Sequence, residues 1–366
     1  MSRASSRLKA ASAYLAPWWL PGGDLQTIYP ALFVQRPKVG YRRERWDTPD
    51  ADFIDVDWLI TSTRADQTPL VVLFHGLEGS SLSHYAAALM SAVRDAGWRG
   101  AVVHFRGCSG EINTLRRAYH SGDSAEIDWI ARRMRELHPA TPLYAAGVSL
   151  GGNALLKWLG EQRAGAAGIV DAAAAVSAPI DLTTAGDTLD RGFNLFYTRN
   201  FLRTMKRKTH AKLARFPDLC DRALMQRART LREFDNLITA PLHGYRDTDD
   251  YWLRASSKPW LSGIGVPTLM INARNDPFLP ESALPAFSDV SARVELEFPA
   301  TGGHVGFVTG SFPGRIDWLP GRLLSFFAGI PLACDGMNPA RPPRSIGADP
   351  ATVRCHNTNQ AGTAGF

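Results

Sequence analysis

Short apolar runs alternate along the chain with segments of helical periodicity. Residues 70–74 (LVVLF) are apolar throughout and end in His75-Gly76, which is typical of a strand buried on both faces. We predict a second buried strand over 101–105 and further strands over 143–148, 172–176, 266–271 and 294–298. Helical periodicity and terminating Gly or Pro residues predict helices over 83–96, 124–137, 280–287 and 316–327, and one after Ser149. This alternation predicts a mostly parallel, doubly wound α/β sheet with helices on both faces.

Four segments depart from this alternation of buried strands and helices. Residues 181–259 carry helical patterns and many charges but no convincing strand, so we expect a helical cap inserted into a domain that spans 51–330. Residues 1–50 are rich in Pro, Trp and Arg and indicate an irregular arm that packs on this core. Residues 53–60 alternate apolar and polar positions, which predicts a half-exposed strand. Residues 331–366 contain few large apolar side chains and are predicted to form a disordered tail.

Composition limits the classes of partner. The 366 residues are 45% hydrophobic and 21% charged, enough for a full core, with a formal net charge of +6. The basic groups are scattered and do not interleave with aromatic residues, so we expect no nucleic-acid binding. They are typical of solvated helix faces, and the alternative is a weak peripheral contact with anionic lipid.

The spacing of the cysteines and the hydropathy of the chain indicate the cellular compartment. The four cysteines are far apart and form no C-x-x-C pair, which favours a reducing environment. No apolar run reaches the roughly 18 residues of a membrane span. We therefore predict a cytoplasmic protein.

The strongest chemical signal is the pentapeptide Gly147-Val148-Ser149-Leu150-Gly151. The G-x-S-x-G pattern alone is weak, but here it follows a predicted strand and precedes a predicted helix, as a nucleophile elbow requires. Gly147 and Gly151 keep the flanking positions small in a tight turn. Ser149 would then project at a helix N-terminus, where negative charge is favoured. The alternative is a glycine-rich turn with an incidental serine.

A serine nucleophile needs a base and an acid that orients the base, which in the α/β-hydrolase fold follow in the order Ser, Asp or Glu, His. Asp276 comes just after the strand at 266–271, and His304 is the only histidine between Asp276 and the tail. We predict these two as acid and base. The alternatives are a turn residue before Pro277 and a solvent-facing loop histidine.

An ester hydrolase also needs two N–H donors for the oxyanion. Leu150, directly after the nucleophile, and Leu77, in the loop His75-Gly76-Leu77-Glu78-Gly79, are the predicted donors. His75 is interpreted as structural and Cys108 as a small packing residue, although it could be read as a second nucleophile. No cluster has metal-ligand spacing and no phosphate-binding glycine motif follows a strand, so we expect no metal and no cofactor.

Several stretches together resemble the YheT-like branch of the α/β-hydrolases, a group that includes eukaryotic abhydrolase-domain lipases. They are residues 21–28, 75–79, 105–111, 119–122, 147–153, 240–245 and 303–307. Asp24 is a departure, since histidine is commoner there in the family. The resemblance implies a charge-relay system at Ser149, Asp276 and His304. It also implies activity on small acyl esters, with short acyl chains or in acylglycerols.

Three functions fit these observations. The first is a serine hydrolase that cleaves carboxylic esters through an acyl-enzyme. The second is an acyltransferase or cofactor-free lyase on the same fold, because one fold supports several chemistries. The third is a catalytically silent binding protein, against which the complete, ordered set of Ser149, Asp276 and His304 argues. Four cap aromatics, Phe193, Phe196, Tyr197 and Phe201, indicate either an apolar acyl pocket or ordinary helix packing.

Overall fold

A computed structural model describes residues 13–61 and 68–330, in which eight strands form one sheet. The strands are β1 (Tyr41–Asp47), β2 (Phe53–Leu59), β3 (Leu70–Phe74), β4 (Arg99–His104), β5 (Leu143–Val148), β6 (Ala172–Val176), β7 (Thr268–Ile271) and β8 (Val294–Glu297). Their order is β1-β2-β4-β3-β5-β6-β7-β8. All pairs from β4 to β8 are parallel, whereas β2 is antiparallel to both β1 and β4. The predicted mostly parallel sheet is confirmed.

Helices cover both faces of the sheet. They are α1 (Gly23–Leu32), α2 (His84–Asp95), α3 (Ser124–Leu137), α4 (Leu150–Gln162), α5 (Leu182–Leu189), α6 (Leu195–Leu213), α7 (Arg222–Arg227), α8 (Leu231–Phe234), α9 (Ala240–Leu242), α10 (Thr248–Ala255) and α11 (Trp318–Ala328). Ile127 of α3 and Leu155 of α4 belong to the apolar core on one face. Leu89 of α2 and Leu323 of α11 belong to the core on the other face. None of the helices in the described part has the length and apolar character needed to cross a membrane.

The central buried strands agree with the sequence prediction because they are runs of mostly apolar residues. Strands β3, β5 and β6 and helix α3 have the predicted bounds. The helix predicted over 280–287 is wrong, since only the short 3₁₀ turns Glu281–Ala283 and Phe287–Asp289 form there. Pro285 lacks an amide hydrogen and its ring would clash with a carbonyl one turn earlier, so a continuous helix cannot form.

The half-exposed strand predicted over 53–60 is also corrected. Strand β2 is buried at six of its seven positions, including Asp55 and Asp57. The Arg45 guanidinium pairs with Asp55 at 2.9 Å, and that of Arg43 pairs with Asp57 at 2.7 Å. These bonds hold the pKa of both carboxyls below the usual range even though burial acts in the opposite direction. The polar positions therefore face partners on β1 instead of solvent.

Two further segments differ in detail from the simple pattern. The arm predicted over 1–50 contains helix α1 and strand β1 within its described residues, 13–50, so this part is not irregular. Residues 177–267 contain helices α5 to α10 and no strand, and their apolar side chains form a separate core that includes Tyr197, Phe234 and Trp252. The tail predicted over 331–366 lies outside the described residues.

Candidate active site

Ser149 occupies the turn between β5 and α4. Its φ is 51°, a value that L residues rarely adopt, and its amide donates to the Val176 carbonyl at 2.8 Å. A Cβ atom on Gly147 would lie 2.6 Å from a backbone oxygen, and one on Gly151 would lie 2.4 Å from the oxygen of Phe74. Only glycine fits at these two positions, so the local sequence places the half-buried Ser149 at the tip of a sharp turn.

The structure brings Ser149, His304 and Asp276 together. His304 Nε2 lies 3.0 Å from Ser149 Oγ, and His304 Nδ1 lies 2.8 Å from Asp276 Oδ2. The Asp276 side chain is fully buried, and its other oxygen accepts from the Phe278 amide at 2.9 Å. Because a carboxylate only accepts hydrogen bonds, Nδ1 carries the proton and Nε2 is left to accept from the serine hydroxyl. The three side chains form one continuous chain of hydrogen bonds.

The loop that carries His304 is held by side chains distant in sequence. The consecutive amides of residues 302–304 donate to Gln26 Oε1, Asn275 Oδ1 and Thr27 Oγ1, at 2.8, 3.0 and 2.8 Å. Asn275 Nδ2 also donates to Gln26 Oε1 at 2.9 Å. Helix α1 thereby fixes the loop of the predicted base, although the two are far apart in sequence. Sequence reasoning missed these residues, and the only signal was that 21–28 is one of the stretches that carry the family resemblance.

The two predicted oxyanion donors lie beside the nucleophile. The amides of Leu77 and Leu150 donate no hydrogen bond to another described residue, and both residues line the same cavity as Ser149. A Cβ atom on Gly76 would lie 3.1 Å from Ser149 Cβ, so this loop runs directly against the serine. Two unpaired N–H groups beside Ser149 can donate hydrogen bonds to the oxyanion of a tetrahedral intermediate.

A cavity extends from Ser149 between the sheet and the helices of residues 182–255. Its empty volume is about 1250 Å³, open solvent at its mouth included. Apolar side chains of residues 182–255 line it, among them Leu182, Leu189, Phe201, Met205, Leu231, Phe234, Ile238 and Trp252, and Leu77, Leu150 and Phe278 line it from the rest of the domain. Of the four aromatic residues predicted for an acyl pocket, only Phe201 is in this lining. Phe193 and Phe196 are exposed, at 61% and 57%, and Tyr197 packs on Phe278.

A charged pair bridges the cavity wall beside the oxyanion loop. Lys208 Nζ, on α6, lies 2.8 Å from Glu78 Oε1 and donates to Cys108 Sγ at 3.2 Å. The Glu78 amide donates to the Tyr119 hydroxyl at 2.8 Å, and that hydroxyl donates to Glu78 Oε1 at the same distance. The residue after the donor Leu77 is thus held by both the sheet domain and α6.

The remaining candidate side chains have structural surroundings. Burial raises the pKa of the Cys108 thiol to about 11, so the thiolate that a cysteine nucleophile needs is disfavoured. Burial lowers the pKa of His75 to about 3, and its neutral ring accepts from the Phe105 amide at 3.1 Å through Nε2. The predicted structural role of His75 agrees with this contact. Within residues 13–61 and 68–330, no group of three or more His, Cys, Asp or Glu could hold a metal ion.

Comparison with known proteins places these features in a family context. The family model described as alpha/beta hydrolase fold matches residues 69–311. The chain is 40% identical over 301 residues to the Escherichia coli protein named "Putative esterase YheT", covering 82% of this chain and 88% of that protein. It is 30% identical to mouse "Phospholipase ABHD3", covering 80% of this chain and 73% of the relative.

More distant matches extend the comparison. The yeast protein named "Monoacylglycerol lipase" is 29% identical over 276 residues, which cover 73% of this chain and 59% of that protein. The solved structure of Est1E from Butyrivibrio proteoclasticus with ferulic acid bound is 13% identical, with a TM-score of 0.50. That superposition covers 78% of this chain and 97% of Est1E. At this level of identity it supports the fold alone.

Proposed function

Because the chain belongs to the α/β-hydrolase family, in its YheT-like branch, we propose that it hydrolyses carboxylic esters with Ser149 as the nucleophile. His304 is the general base and Asp276 orients it. The observation that carries the proposal is the hydrogen-bond chain from Asp276 through His304 to Ser149, with bonds of 2.8 and 3.0 Å. The relatives named as an esterase, a phospholipase and a monoacylglycerol lipase support ester hydrolysis.

Acylation begins when Ser149 Oγ attacks the ester carbonyl carbon and its proton passes to His304 Nε2. The carbonyl oxygen becomes an oxyanion that accepts hydrogen bonds from the Leu77 and Leu150 amides. Loss of one such donor typically costs about 100- to 1000-fold in rate. The imidazolium, stabilised by Asp276, then protonates the departing alkoxide as the bond from carbon to the leaving oxygen breaks. The acyl group remains on Ser149.

Deacylation reverses the roles with water as the attacking group. His304 Nε2 takes a proton from water, whose oxygen attacks the acyl carbon and forms a second oxyanion at the same amides. Collapse of this intermediate breaks the bond to Ser149 Oγ, which recovers its proton from His304. The products are a carboxylic acid, an alcohol and the free enzyme.

The apolar lining of the cavity favours binding of the acyl chain of the ester. Its wall is built largely from aliphatic and aromatic side chains, and these contribute binding by excluding water. We propose short-chain acyl esters or acylglycerols as substrates. We also propose a cytoplasmic location, because the widely spaced cysteines favour a reducing environment.

Turnover of p-nitrophenyl esters across a series of acyl lengths tests the proposal. Ser149→Ala should abolish turnover and covalent labelling by a fluorophosphonate, whereas Ser91→Ala, on the surface of α2, should retain both. Product analysis in the presence of an added alcohol separates hydrolysis from acyl transfer. Labelling that persists in Ser149→Ala would assign the nucleophile elsewhere, and a wild-type protein that turns over no ester would contradict the proposed activity.

A further inference from the structure

Helix α1 leaves two of its leucines on the outside, whereas Ile28 and Tyr29 are partly buried against the rest of the protein. Its buried positions are Gln26, Thr27 and Pro30, because the first two bind the loop of His304. Leu25 and Leu32 lie on the opposite side, and both are exposed. A helix on a globular protein normally buries its apolar face. The outer face of α1 is therefore an apolar surface that the described residues do not cover.

Exposed aromatic side chains extend this surface at both ends of α1. At one end Phe33, itself exposed, follows α1 and contacts Tyr29, and Tyr29 contacts Trp19 with ring centroids 5.2 Å apart. At the other end, Asp24 accepts a hydrogen bond from the Tyr197 hydroxyl of α6 at 2.9 Å. Phe196, adjacent to Tyr197, is exposed and contacts the exposed ring of Phe193.

Helix α6 continues the surface with positive charge. Arg199, Arg203 and Arg207 recur every four residues, on the same side of the helix as Phe196, and all three are exposed. None of them forms an ion pair with another described residue, whereas Arg132 of α3 and Arg254 of α10 each pair with an acid four positions away. Helix α6 contains no Asp or Glu at all. We call the exposed residues of α1, Phe33, Phe193, Phe196 and these three arginines the α1–α6 face.

Aromatic contacts connect this face to the catalytic base. The rings of Phe196 and Tyr197 lie 5.8 Å apart, those of Tyr197 and Phe278 lie 4.7 Å apart, and Phe278 packs on the imidazole of His304 at 4.2 Å. The exposed apolar surface therefore begins a few side chains away from Ser149. A partner that binds there lies next to the site of ester cleavage.

We propose that the α1–α6 face docks on a bilayer that contains anionic phospholipid. Aromatic and aliphatic side chains enter the boundary between head groups and acyl chains, and unpaired arginines bind lipid phosphates. Exposed leucines beside the aromatic rings favour a bilayer over a nucleic acid, which has no comparable apolar layer to accept them. Delivery of a lipid ester to Ser149 would rest on the proposed function, but docking itself does not.

Co-sedimentation with sucrose-loaded vesicles tests docking without any measurement of activity. One preparation contains phosphatidylcholine alone, and the other contains equal amounts of phosphatidylcholine and phosphatidylglycerol. We expect the wild-type chain to bind the anionic vesicles, to bind the zwitterionic ones far less, and to dissociate as salt is raised. Binding to DNA of the same charge concentration but not to vesicles would overturn the proposal in favour of a polyanion partner.

Charge variants test the arginines. The triple variant Arg199→Gln, Arg203→Gln, Arg207→Gln should lower the vesicle partition coefficient about 100-fold, since each basic side chain near an anionic surface contributes about fivefold. A control removes three exposed arginines elsewhere on the surface: Arg42, Arg132 and Arg293. The control should lose much less affinity, because its residues are spread over β1, α3 and the start of β8. Equal losses in the two triple variants would show only a net-charge effect and refute the assigned face.

Apolar variants test the uncharged part of the face. Leu32→Ser with Phe196→Ser should weaken vesicle binding about tenfold or more, whereas the matched pair Leu137→Ser with Phe287→Ser should not. All variants should retain wild-type turnover of a water-soluble p-nitrophenyl ester, which verifies folding. If vesicle binding survives both changes on the α1–α6 face, the face is not the docking site. Vesicle binding by an inactive Ser149→Ala chain would leave docking intact even where the proposed chemistry failed.

Discussion

The contact between Thr27 and the His304 amide allows a sharp test of how the base is positioned. Thr27 Oγ1 accepts from that amide at 2.8 Å and donates to the Gly23 carbonyl at 2.7 Å, and Thr27 is 8% exposed. Thr27→Val retains the branched shape and removes both hydrogen bonds. Thr27→Ser retains the hydroxyl and removes only a methyl group, so it is the matched control.

The magnitude follows from the His304 amide, which is left without a partner, because the Gly23 carbonyl keeps its hydrogen bond from the Thr27 amide within α1. A buried N–H or C=O that loses its hydrogen bond costs roughly 1–3 kcal/mol. If the cost falls on the His304 loop, the catalytic position of the imidazole is destabilised by a similar amount. At about 1.4 kcal/mol per tenfold change in rate, kcat should fall about 10- to 100-fold in Thr27→Val. KM should change little, because the substitution removes no contact with the substrate.

Steady-state kinetics on a p-nitrophenyl ester, with thermal unfolding in parallel, measure this effect. In a His304→Ala background Thr27→Val should cause no further loss, because Thr27 acts through the histidine. A Thr27→Val enzyme with the same kcat as Thr27→Ser would refute the reasoning. An equal further loss without the imidazole would show that Thr27 supports the fold instead of the base.

Three other substitutions have defined outcomes. Gly151→Ala should unfold at a lower temperature and lose activity, because the new Cβ would lie 2.4 Å from a β3 oxygen. The control Gly321→Ala has open space in α11, and its free energy of unfolding should rise by about 0.5–1 kcal/mol. Equal unfolding temperatures for the two variants would contradict this prediction. Lys208→Met should lower kcat about tenfold, because the Glu78 carboxylate, with a side chain only 9% exposed, loses its cation. Lys208→Arg keeps the positive charge and should retain most of the wild-type kcat. Equal kcat values for the Met and Arg variants would exclude a role for the charge. Burial raises the pKa of Asp235 to about 6 from 3.8, so its neutral form stabilises the fold at low pH and this contribution is lost as pH rises through about 6. In urea unfolding, the free energy of unfolding of Asp235→Asn should rise by about 3 kcal/mol relative to that of the wild type between about pH 4 and pH 8. If the two unfolding free energies changed with pH in parallel, this prediction would be wrong.

The sheet could be predicted where burial is encoded locally. Strands β3, β5 and β6 are apolar at every position, since both of their faces are covered, and such a run needs no knowledge of its neighbours. Strand β1 was missed because its seven residues include three arginines, one glutamate and one aspartate. Its pairing depends on the carboxylates of β2, which are not visible from the sequence of β1 itself.

The predicted catalytic residues also differ in whether local sequence or distant residues position them. Local sequence positions Ser149, because only glycine fits at positions 147 and 151 of its turn. Both glycines are visible in the sequence. His304 is positioned by the α1 side chains of Gln26 and Thr27, the latter 277 residues away, so no local pattern shows how its loop is fixed.

This difference has a consequence for how substitutions act. Gln26 is 1% exposed, and its Oε1 accepts from both the Gly302 amide and Asn275, while its Nε2 donates to the Leu20 carbonyl. A buried polar group with three partners tolerates neither an apolar nor a charged replacement, because each leaves several groups unsatisfied. Substitutions of Gln26 and Thr27 should therefore impair catalysis as strongly as many at the active site, even though α1 provides none of the three predicted catalytic side chains. The buried side of α1 carries the two polar side chains that hold the His304 loop, and Leu25 and Leu32 are left on the outside.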